Sequence, residues 1–279
     1  MSRFATIAIV GRPNVGKSTI FNFLTGLNQK IGNYPGVTVD KKSGTFQING
    51  EQFNLLDLPG TYSLFPNSED EIIAHRVLNQ PNPEDKPDFV LMVIDSTQLS
   101  RGLFLATQLI DLGLNMAILL NMSDVAEKKK LEIRAFELFK ALGVPILNTD
   151  ARNLKGMDQV KGLIAERNFS KAASFIDISQ IVPTEILDQV QHKFHLQNAY
   201  QAYQLLRFGL KDKSLSEEKR AFIAKVIGES GFDLEEAQLE ETKQRYRKIT
   251  DLVNRALIKR EEPKKKSSLD KIFLHPVLG

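Results

Sequence analysis

Apolar and polar positions divide the first 170 residues of the chain into short strands and the helices between them. Continuous apolar runs predict strands, most of them covered on both faces as in a parallel sheet, at residues 4–10, 89–95, 116–120 and 144–147. Helices are predicted over residues 17–26, 69–79, 103–112, 130–142 and 156–167. Strands that alternate with helices indicate an α/β fold built on a mostly parallel sheet.

The segment at residues 44–57 alternates apolar and polar positions on both sides of Asn49-Gly50, which predicts a β-hairpin. We expect the second arm inside the sheet and the first arm at its edge, as the one antiparallel edge strand. The polar segment from Asn28 to Asp40 contains glycine and proline and predicts a long functional loop without regular structure.

The strand pattern stops near residue 170, and helical periodicity replaces it. Apolar residues recur three or four positions apart in four segments, at residues 184–198, 199–210, 216–229 and 234–260. Asp233, with Glu236 three residues later, is typical of a helix start. We therefore divide the chain into an α/β unit (1–169), an all-α unit (170–262) and a basic tail (263–279).

Composition narrows the classes of protein that this chain can represent. Its 279 residues, 42% of them hydrophobic, suffice for two packed units, and a net charge of +3 alone does not indicate nucleic-acid binding. The absence of cysteine excludes disulfides and thiolate metal sites, which fits a cytosolic protein. The N-terminus is typical of a first strand rather than a signal peptide, and no apolar run approaches the roughly 18 residues of a membrane span.

The stretch Gly11 to Ser18 reads GRPNVGKS and lies between the first strand and the first helix, as a P-loop requires. Its backbone N–H groups and the helix start offer positive charge to a polyphosphate. Lys17 is expected to reach the β- and γ-phosphates, and the Ser18 hydroxyl to ligate Mg²⁺. The predicted nucleotide-binding residues here are Gly11, Asn14, Val15, Gly16, Lys17, Ser18 and Thr19.

Two further stretches match the nucleotide-sensing loops of a switch protein. In Asp57-Leu-Pro-Gly60 the carboxylate can hold a water of Mg²⁺, and the Gly60 N–H can sense the γ-phosphate. Thr38, in the preceding loop, offers a hydroxyl to Mg²⁺ when that loop closes over a triphosphate. The predicted catalytic residues are Lys17, Thr38 and Gly60, and the predicted Mg²⁺ ligands are Ser18, Thr38 and Asp57.

Two stretches that follow later strands predict recognition of a guanine base. In Asn121-Met122-Ser-Asp124 the Asp124 carboxylate can accept from the ring N–H and the exocyclic amine of guanine, a donor pair that adenine lacks. In Thr149-Asp-Ala-Arg152 the Ala151 N–H can brace the base. The predicted base-binding residues are Asn121, Met122, Asp124, Asp150, Ala151 and Arg152.

These motifs, in this order, resemble those of Era-like small GTPases. More closely, four stretches resemble the cytosolic N-terminal region of the FeoB family of prokaryotic ferrous iron transporters: GNYPGVT (32–38), DLPGTYSL (57–64), Asn121-Met-x-Asp124 and LHPVLG (274–279). The resemblance extends over essentially the whole chain. It implies a P-loop GTPase domain that binds GTP or GDP with Mg²⁺, followed by a helical domain that inhibits GDP dissociation.

The resemblance also implies a partner and a location. The chain would be coupled to an iron-transporting membrane region of the same protein, at the cytoplasmic face of the bacterial inner membrane. Asn14 matches a position that holds K⁺ in potassium-activated relatives. Self-association is left open, and nucleic acid is not expected as a partner.

Two departures from the usual GTPase motifs predict slow hydrolysis and modest nucleotide affinity. Thr61 follows Gly60 where a glutamine would orient the attacking water, so we expect slow hydrolysis, on the order of 10⁻⁴ to 10⁻² s⁻¹. Met122 replaces the lysine whose stem usually covers the base, so modest nucleotide affinity is expected.

The sequence also allows other interpretations. Gly228-Glu-Ser-Gly231 matches the loop of an RNA-binding KH module, which would indicate an RNA-binding assembly GTPase, although the acidic flank disfavours phosphate binding. A third interpretation is a nucleotide-gated regulatory module with little productive turnover.

His192 with His195 could be iron ligands or surface residues, and Glu69–Glu71 could be a metal cluster or a solvated helix start. Lys264–Lys266 is either a solvated run or a lipid-attracted segment.

Overall fold

The computed structural model describes residues 4–26, 29–34, 39–79, 86–212 and 215–259. The strands are β1 (Ala5–Gly11), β2 (Gln29–Asn33), β3 (Asp40–Ile48), β4 (Glu51–Asp57), β5 (Phe89–Asp95), β6 (Met116–Asn121), β7 (Leu131–Ile133), β8 (Ile146–Asn148) and β9 (Leu257–Lys259). The helices are α1 (Lys17–Thr25), α2 (Glu69–Leu78), α3 (Leu99–Asp111), α4 (Ser123–Lys128), α5 (Ala135–Leu142), α6 (Met157–Ala165), α7 (Thr184–Phe194), α8 (Ala199–Phe208), α9 (Glu217–Ser230) and α10 (Leu234–Ala256).

Seven strands form a twisted central sheet in the order β2-β3-β4-β1-β5-β6-β8. The apolar runs form its parallel centre, because β1 pairs in parallel with both β4 and β5, and β6 pairs in parallel with β5 and β8. The register places the end of β1 beside Asp57 and Val93, and Asp95 beside Asn121. The carboxyl ends of these strands therefore meet at one edge, where open α/β sheets bind ligands.

The antiparallel edge of the sheet differs in detail from the prediction. The hairpin of β3 and β4 is confirmed, and its turn has Asn49 at φ 52° and Gly50 at φ 82°, as a type I′ turn requires. However, β3 is not the outermost strand, because β2 pairs with it antiparallel on the outer side. The prediction of an irregular loop was wrong for Gln29–Asn33, which is largely exposed and lacks apolar alternation.

A second sheet joins two distant parts of the chain. Here β7 pairs antiparallel with β9, which follows α10 directly. The predicted helix at 130–142 was therefore wrong over its first residues, where β7 lies instead and α5 begins only at Ala135, and the helix predicted to residue 260 ends at Ala256. A strand of three residues is stabilised by its partner rather than by local periodicity, so the local pattern did not reveal it.

The helices α7 to α10 form the all-α part, and three of them begin at side-chain caps. Asn198 accepts from the Gln201 N–H, Ser216 from the Lys219 N–H, and Asp233 from the Glu235 and Glu236 N–H groups. The predicted start at Asp233 is thus confirmed. No helix among the described residues is long and apolar enough to cross a membrane.

The α/β and all-α parts share one apolar core. A single cluster of buried residues contains Ile118 of β6, Leu103 of α3, Val190 of α7 and Ile249 of α10. The helix α10 packs on α3 and α5. The unit boundary near residue 170 stays a prediction. Because the two parts share this core, removing either one would expose apolar surface on the other.

A fully buried ionic cluster lies within this shared core. Arg245 of α10 contacts Asp111 of α3 at 2.6 Å and donates from Nε to Glu241 Oε1 at 2.8 Å. The Tyr200 hydroxyl donates to the same Glu241 oxygen at 3.1 Å. Asp111 Oδ1 also accepts the Phe175 N–H at 2.5 Å, so the segment that connects the two parts is held at the same point.

Candidate functional site

The P-loop has the conformation that its sequence predicts. Gly16 has φ 96°, and a Cβ there would lie 2.2 Å from Asn121 Nδ2, so both its backbone and its surroundings require glycine. Val15 is buried, whereas Asn14, Ser18 and Thr19 are exposed at the surface of the loop. Asn14 has a left-handed backbone at φ 62°, which asparagine tolerates.

Lys17, Ser18 and Asp57 converge where β1 and β4 end. Lys17 Nζ donates to the carbonyls of Gly11 at 3.0 Å and Arg12 at 3.1 Å, and burial lowers the pKa of this amine while the Asp57 charge opposes the shift. Ser18 Oγ donates to Asp57 Oδ2 at 3.2 Å. Among the described residues, Asp57 Oδ1 is buried without a hydrogen-bond donor.

The environment of Asp57 suits a cation of the Mg²⁺ type. Burial raises the pKa of Asp57, and Lys17, the Ser18 hydroxyl and Lys42 each oppose this shift. A carboxylate oxygen without a donor, beside a hydroxyl, offers the hard oxygen ligands that Mg²⁺ prefers. The charge of Asp57 also acts on Tyr34. Burial raises the pKa of the Tyr34 phenol to about 12, and Asp57 adds to this shift. Thr38, the remaining predicted Mg²⁺ ligand, lies outside the described residues.

Asn121 joins three loops of the site through one side chain. Its Nδ2 donates to Val15 O at 2.9 Å, and its Oδ1 accepts the Ala151 N–H at 2.9 Å and the Thr149 hydroxyl at 3.3 Å. The Ala151 N–H was predicted to brace a base, but in this structure it donates to Asn121. A buried N–H takes the nearest acceptor, and the side chain of Asn121 lies within reach.

The structure places the other predicted base-binding residues around the ends of β6 and β8. Met122 has a left-handed backbone at φ 61° and begins α4, and Asp124 is half-buried in the first turn of that helix, 3.6 Å from Lys128. The Asp150 carboxylate is instead turned to Asn153, accepting from its N–H at 3.2 Å and its side-chain amide at 2.6 Å. Arg152 is exposed. Asp124 stays the carboxylate predicted to accept from a base.

The loop after β4 lies against the P-loop. A Cβ on Gly60 would lie 2.9 Å from the backbone nitrogen of Pro13, so glycine permits this close approach. The Thr61 N–H donates to Gly11 O at 3.3 Å, and the fully buried Thr61 hydroxyl donates to Ser63 O at 2.8 Å. Thr61 is thus fully buried, with its hydroxyl and its N–H both turned to backbone carbonyls.

Comparison with known proteins identifies the family. A family model described as ferrous iron transport protein B, FeoB_N, matches residues 5–164. The chain belongs to the FeoB family. This FeoB chain is 31% identical to the Fe(2+) transporter FeoB of Leptospira biflexa, an alignment that covers 98% of this chain and 41% of the relative. The chain thus spans less than half of that relative's length.

Solved FeoB structures agree with the fold. The cytosolic domain of the T. maritima FeoB iron transporter in its GMPPNP form has 30% identity and a TM-score of 0.70, covering 91% of this chain and 100% of that chain. A mutant of S. thermophilus NFeoB bound to GDP has 31% identity and a TM-score of 0.71, with 91% of this chain and 100% of that chain covered. The P-loop GTPase fold predicted for this FeoB chain is confirmed.

In this FeoB chain, buried polar side chains that the sequence analysis missed hold the loop after Gly60. Gln108 of α3 accepts the Leu64 N–H at 2.8 Å. Glu71 of α2 accepts the Tyr62 N–H at 3.1 Å and the Asn67 N–H at 2.9 Å. The prediction of a solvated helix start was therefore wrong for Glu71, which is buried because it binds backbone N–H groups.

The same loop and α2 contact the all-α part of this FeoB chain. The Phe65 ring packs edge-on against Tyr203 of α8, with centroids 6.4 Å apart. His75 Nε2 lies 3.3 Å from Gln204 Oε1, and Arg76 lies 3.1 Å from Asp212. Burial lowers the pKa of His75 to about 4, so the imidazole is neutral at pH 7 and can donate from Nε2 to the glutamine oxygen. No sequence motif marks these residues.

The alternative metal and RNA sites receive no support from the described residues. Across residues 4–259 with their gaps, no three histidine, aspartate or glutamate side chains are grouped as metal ligands, so neither His192 with His195 nor Glu69–Glu71 forms such a site. Gly228 lies inside α9 and Gly231 ends it, among helices rather than the strands of a KH module. Lys264–Lys266 and the basic tail lie outside the described residues.

Proposed function

We propose that this FeoB chain binds GTP and GDP with Mg²⁺ and hydrolyses GTP slowly. The observation that carries the proposal is the meeting, at one edge of the sheet, of Lys17, Asp57 with its unpartnered Oδ1, and Asp124. The T. maritima and S. thermophilus relatives in GMPPNP and GDP forms support a guanine nucleotide at this edge.

Each side chain has a distinct role in the proposed reaction. Lys17 exchanges its two loop carbonyls for the β- and γ-phosphates, and the Gly60 N–H senses the γ-phosphate. Ser18 and Asp57, together with Thr38, would hold Mg²⁺, which would supply positive charge to the phosphates. Thr61 does not orient the attacking water, so unassisted hydrolysis stays slow.

Guanine specificity is tested by titrating fluorescent GDP and ADP analogues in the presence of Mg²⁺. We expect GDP to bind at least about 100-fold more tightly, because a base without the donor pair leaves the Asp124 carboxylate unpaired. Asp124→Asn should lose this preference and gain xanthine nucleotide binding. Asp158→Asn, an exposed aspartate in the first turn of α6, is the matched control. Equal affinity for GDP and ADP would refute guanine recognition.

We further propose that residues 170–262 act as a GDP-dissociation-inhibitor domain, and that the nucleotide state controls the membrane region of the same transporter. The supporting contacts are those of Phe65, His75 and Arg76 with α8 and with the loop that follows it. Coupling to iron transport rests on relatives of which this chain spans only part. It would place this region at the cytoplasmic face of the bacterial inner membrane.

The inhibitor role is tested with point variants rather than by truncation, because the two parts share one core. Gln204→Leu leaves His75 without its acceptor, and we expect GDP release to accelerate about fivefold or more, the lower range of allosteric coupling. Lys225→Gln on the exposed face of α9 is the control. An unchanged release rate in Gln204→Leu would remove the inhibitor role from this contact.

A further inference from the structure

A cavity of about 710 Å³ lies at the junction of the two parts, away from the P-loop. Its walls come from the ends of α3 and α5, from residues 171–175 and from the last turns of α10. The volume lies within the range of typical small-molecule sites. The cavity is therefore large enough for a discrete ligand, and any ligand in it would touch both parts of the chain.

The cavity is lined by more cations than carboxylates. Lys140, Lys171, Lys248 and Arg255 line it, whereas Asp251 supplies the one carboxylate among the described lining residues. Lys140 is paired with Glu137 at 2.8 Å. In the described part of the chain, the other three cations form no ion pair: Lys248 Nζ donates to the Phe175 carbonyl at 2.8 Å, and Arg255 Nε to the Asp251 carbonyl at 3.3 Å.

The charges of this cavity act on groups at both of its ends. The hydrogen bond from Lys140 lowers the pKa of Glu137, and the charges of Lys140, Arg134 and Arg255 lower it further. At the other end, burial lowers the pKa of Lys86, and the charge of Lys171 adds to the shift.

The rest of the lining is small or apolar. Gly143, Ala172 and Ala173 leave the floor open, and Ile110, Phe175 and Leu252 form apolar walls. Lysine ammonium groups and an arginine guanidinium that face a common space bind phosphate oxygens well. We propose that this cavity binds a phosphate-bearing anion, either the headgroup of an anionic phospholipid or a soluble polyphosphate, across the junction of the two parts.

Such a ligand would be held by Lys140 from the α/β part, by Lys171 of the connecting segment, and by Lys248 and Arg255 from α10. A ligand that binds only the docked arrangement adds its binding free energy to that arrangement. Occupancy would therefore stabilise the docking of the all-α part on α3 and α5. The proposal is independent of the nucleotide site, which saturating GDP keeps occupied.

The test uses the full chain with saturating GDP, and two probes that separate the two sources. One probe is pyrophosphate, titrated by calorimetry in Mg²⁺-free buffer. The other is cosedimentation with vesicles of phosphatidylglycerol, compared with phosphatidylcholine. We expect saturable binding to at least one probe, weakened by salt because the contacts are ionic. Lys171→Gln/Arg255→Gln should weaken that binding roughly 25-fold, about fivefold for each cation removed.

The matched control, Lys219→Gln/Lys225→Gln, removes the same charge from α9, outside the cavity. Equal losses in both double variants would show that net charge alone governs binding and would overturn the proposal. Failure of the parent chain to bind either probe would overturn it as well. Lys171→Glu, whose side chain has no partner to lose among the described residues, keeps the test decisive if the double variant folds poorly.

Discussion

Replacing Arg245 by methionine tests what the buried ionic cluster contributes to stability. Arg245, Asp111 and Glu241 all have side chains with no exposed surface, so the variant leaves two carboxylates buried without their guanidinium. Removing one partner from a buried ion pair lowers the free energy of unfolding by about 3–5 kcal/mol. For a chain of this size, such a loss corresponds to a fall in Tm on the order of 10 °C.

The loss should also depend on pH. Burial already raises the pKa of Asp111, and Arg245 is the largest opposing influence. Without Arg245 the folded-state pKa rises further, so the folded protein retains a proton that the unfolded chain releases. The stability lost in Arg245→Met is therefore smallest below the ordinary pKa of aspartate, and it grows as the pH rises towards the raised pKa of Asp111 in the folded variant. Tyr200 and Tyr203, which face the cluster from α8, stay neutral because their pKa values are raised.

Urea denaturation of the GDP-bound chain at pH 5 and pH 8 measures both effects. Arg247→Met, an exposed arginine on the same helix, is the matched control and should change stability by less than about 0.5 kcal/mol. Arg245→Met/Asp111→Asn removes charge from both partners and should recover part of the loss. If Arg245→Met lowers the free energy of unfolding by less than about 1 kcal/mol, with no dependence on pH, the claim that the ionic cluster stabilises the fold would be refuted.

Four further outcomes are expected at the nucleotide site. Gly16→Ala should abolish GDP binding in fluorescence titration, because its Cβ would meet Asn121 Nδ2 at 2.2 Å; normal affinity would contradict this. Since burial raises the pKa of Asp57, Mg²⁺-dependent GTP affinity should begin to fall at a higher pH than an ordinary aspartate predicts, and Asp57→Asn should abolish that dependence. Single-turnover hydrolysis should run on the order of 10⁻⁴ to 10⁻² s⁻¹, and Thr61→Gln should not accelerate it, because position 61 is fully buried. Hydrolysis should be faster in KCl than in NaCl, and Asn14→Ala should remove the difference; equal rates in both salts would argue against a potassium site.

The parts of the site that could be predicted from sequence are those built from contiguous residues. GRPNVGKS, DLPG and NMSD each combine a strand end with a turn, so a few adjacent letters specify both the backbone and the chemistry. The parallel centre of the sheet was equally readable, because strands buried on both faces require continuous apolar runs.

The features that sequence reasoning missed depend on partners far along the chain. The exposed strand β2 is specified by pairing with β3, and β7 by pairing with β9. Glu71 and Arg245 read as surface charges of amphipathic helices, and only the packed structure shows that each is buried against polar groups of another element. Charge patterning on one helix does not reveal such neighbours.

The small sheet of β7 and β9 has a mechanical consequence. Lys259 pairs with Leu131, and β7 follows α4, the helix that Met122 begins and that carries Asp124. A pulling force on Lys259 would therefore pass through the three residue pairs of this sheet into the segment that holds the proposed base-recognition aspartate. Tension on β9 would thus act beside the proposed nucleotide site as well as on α10, to which β9 is joined directly.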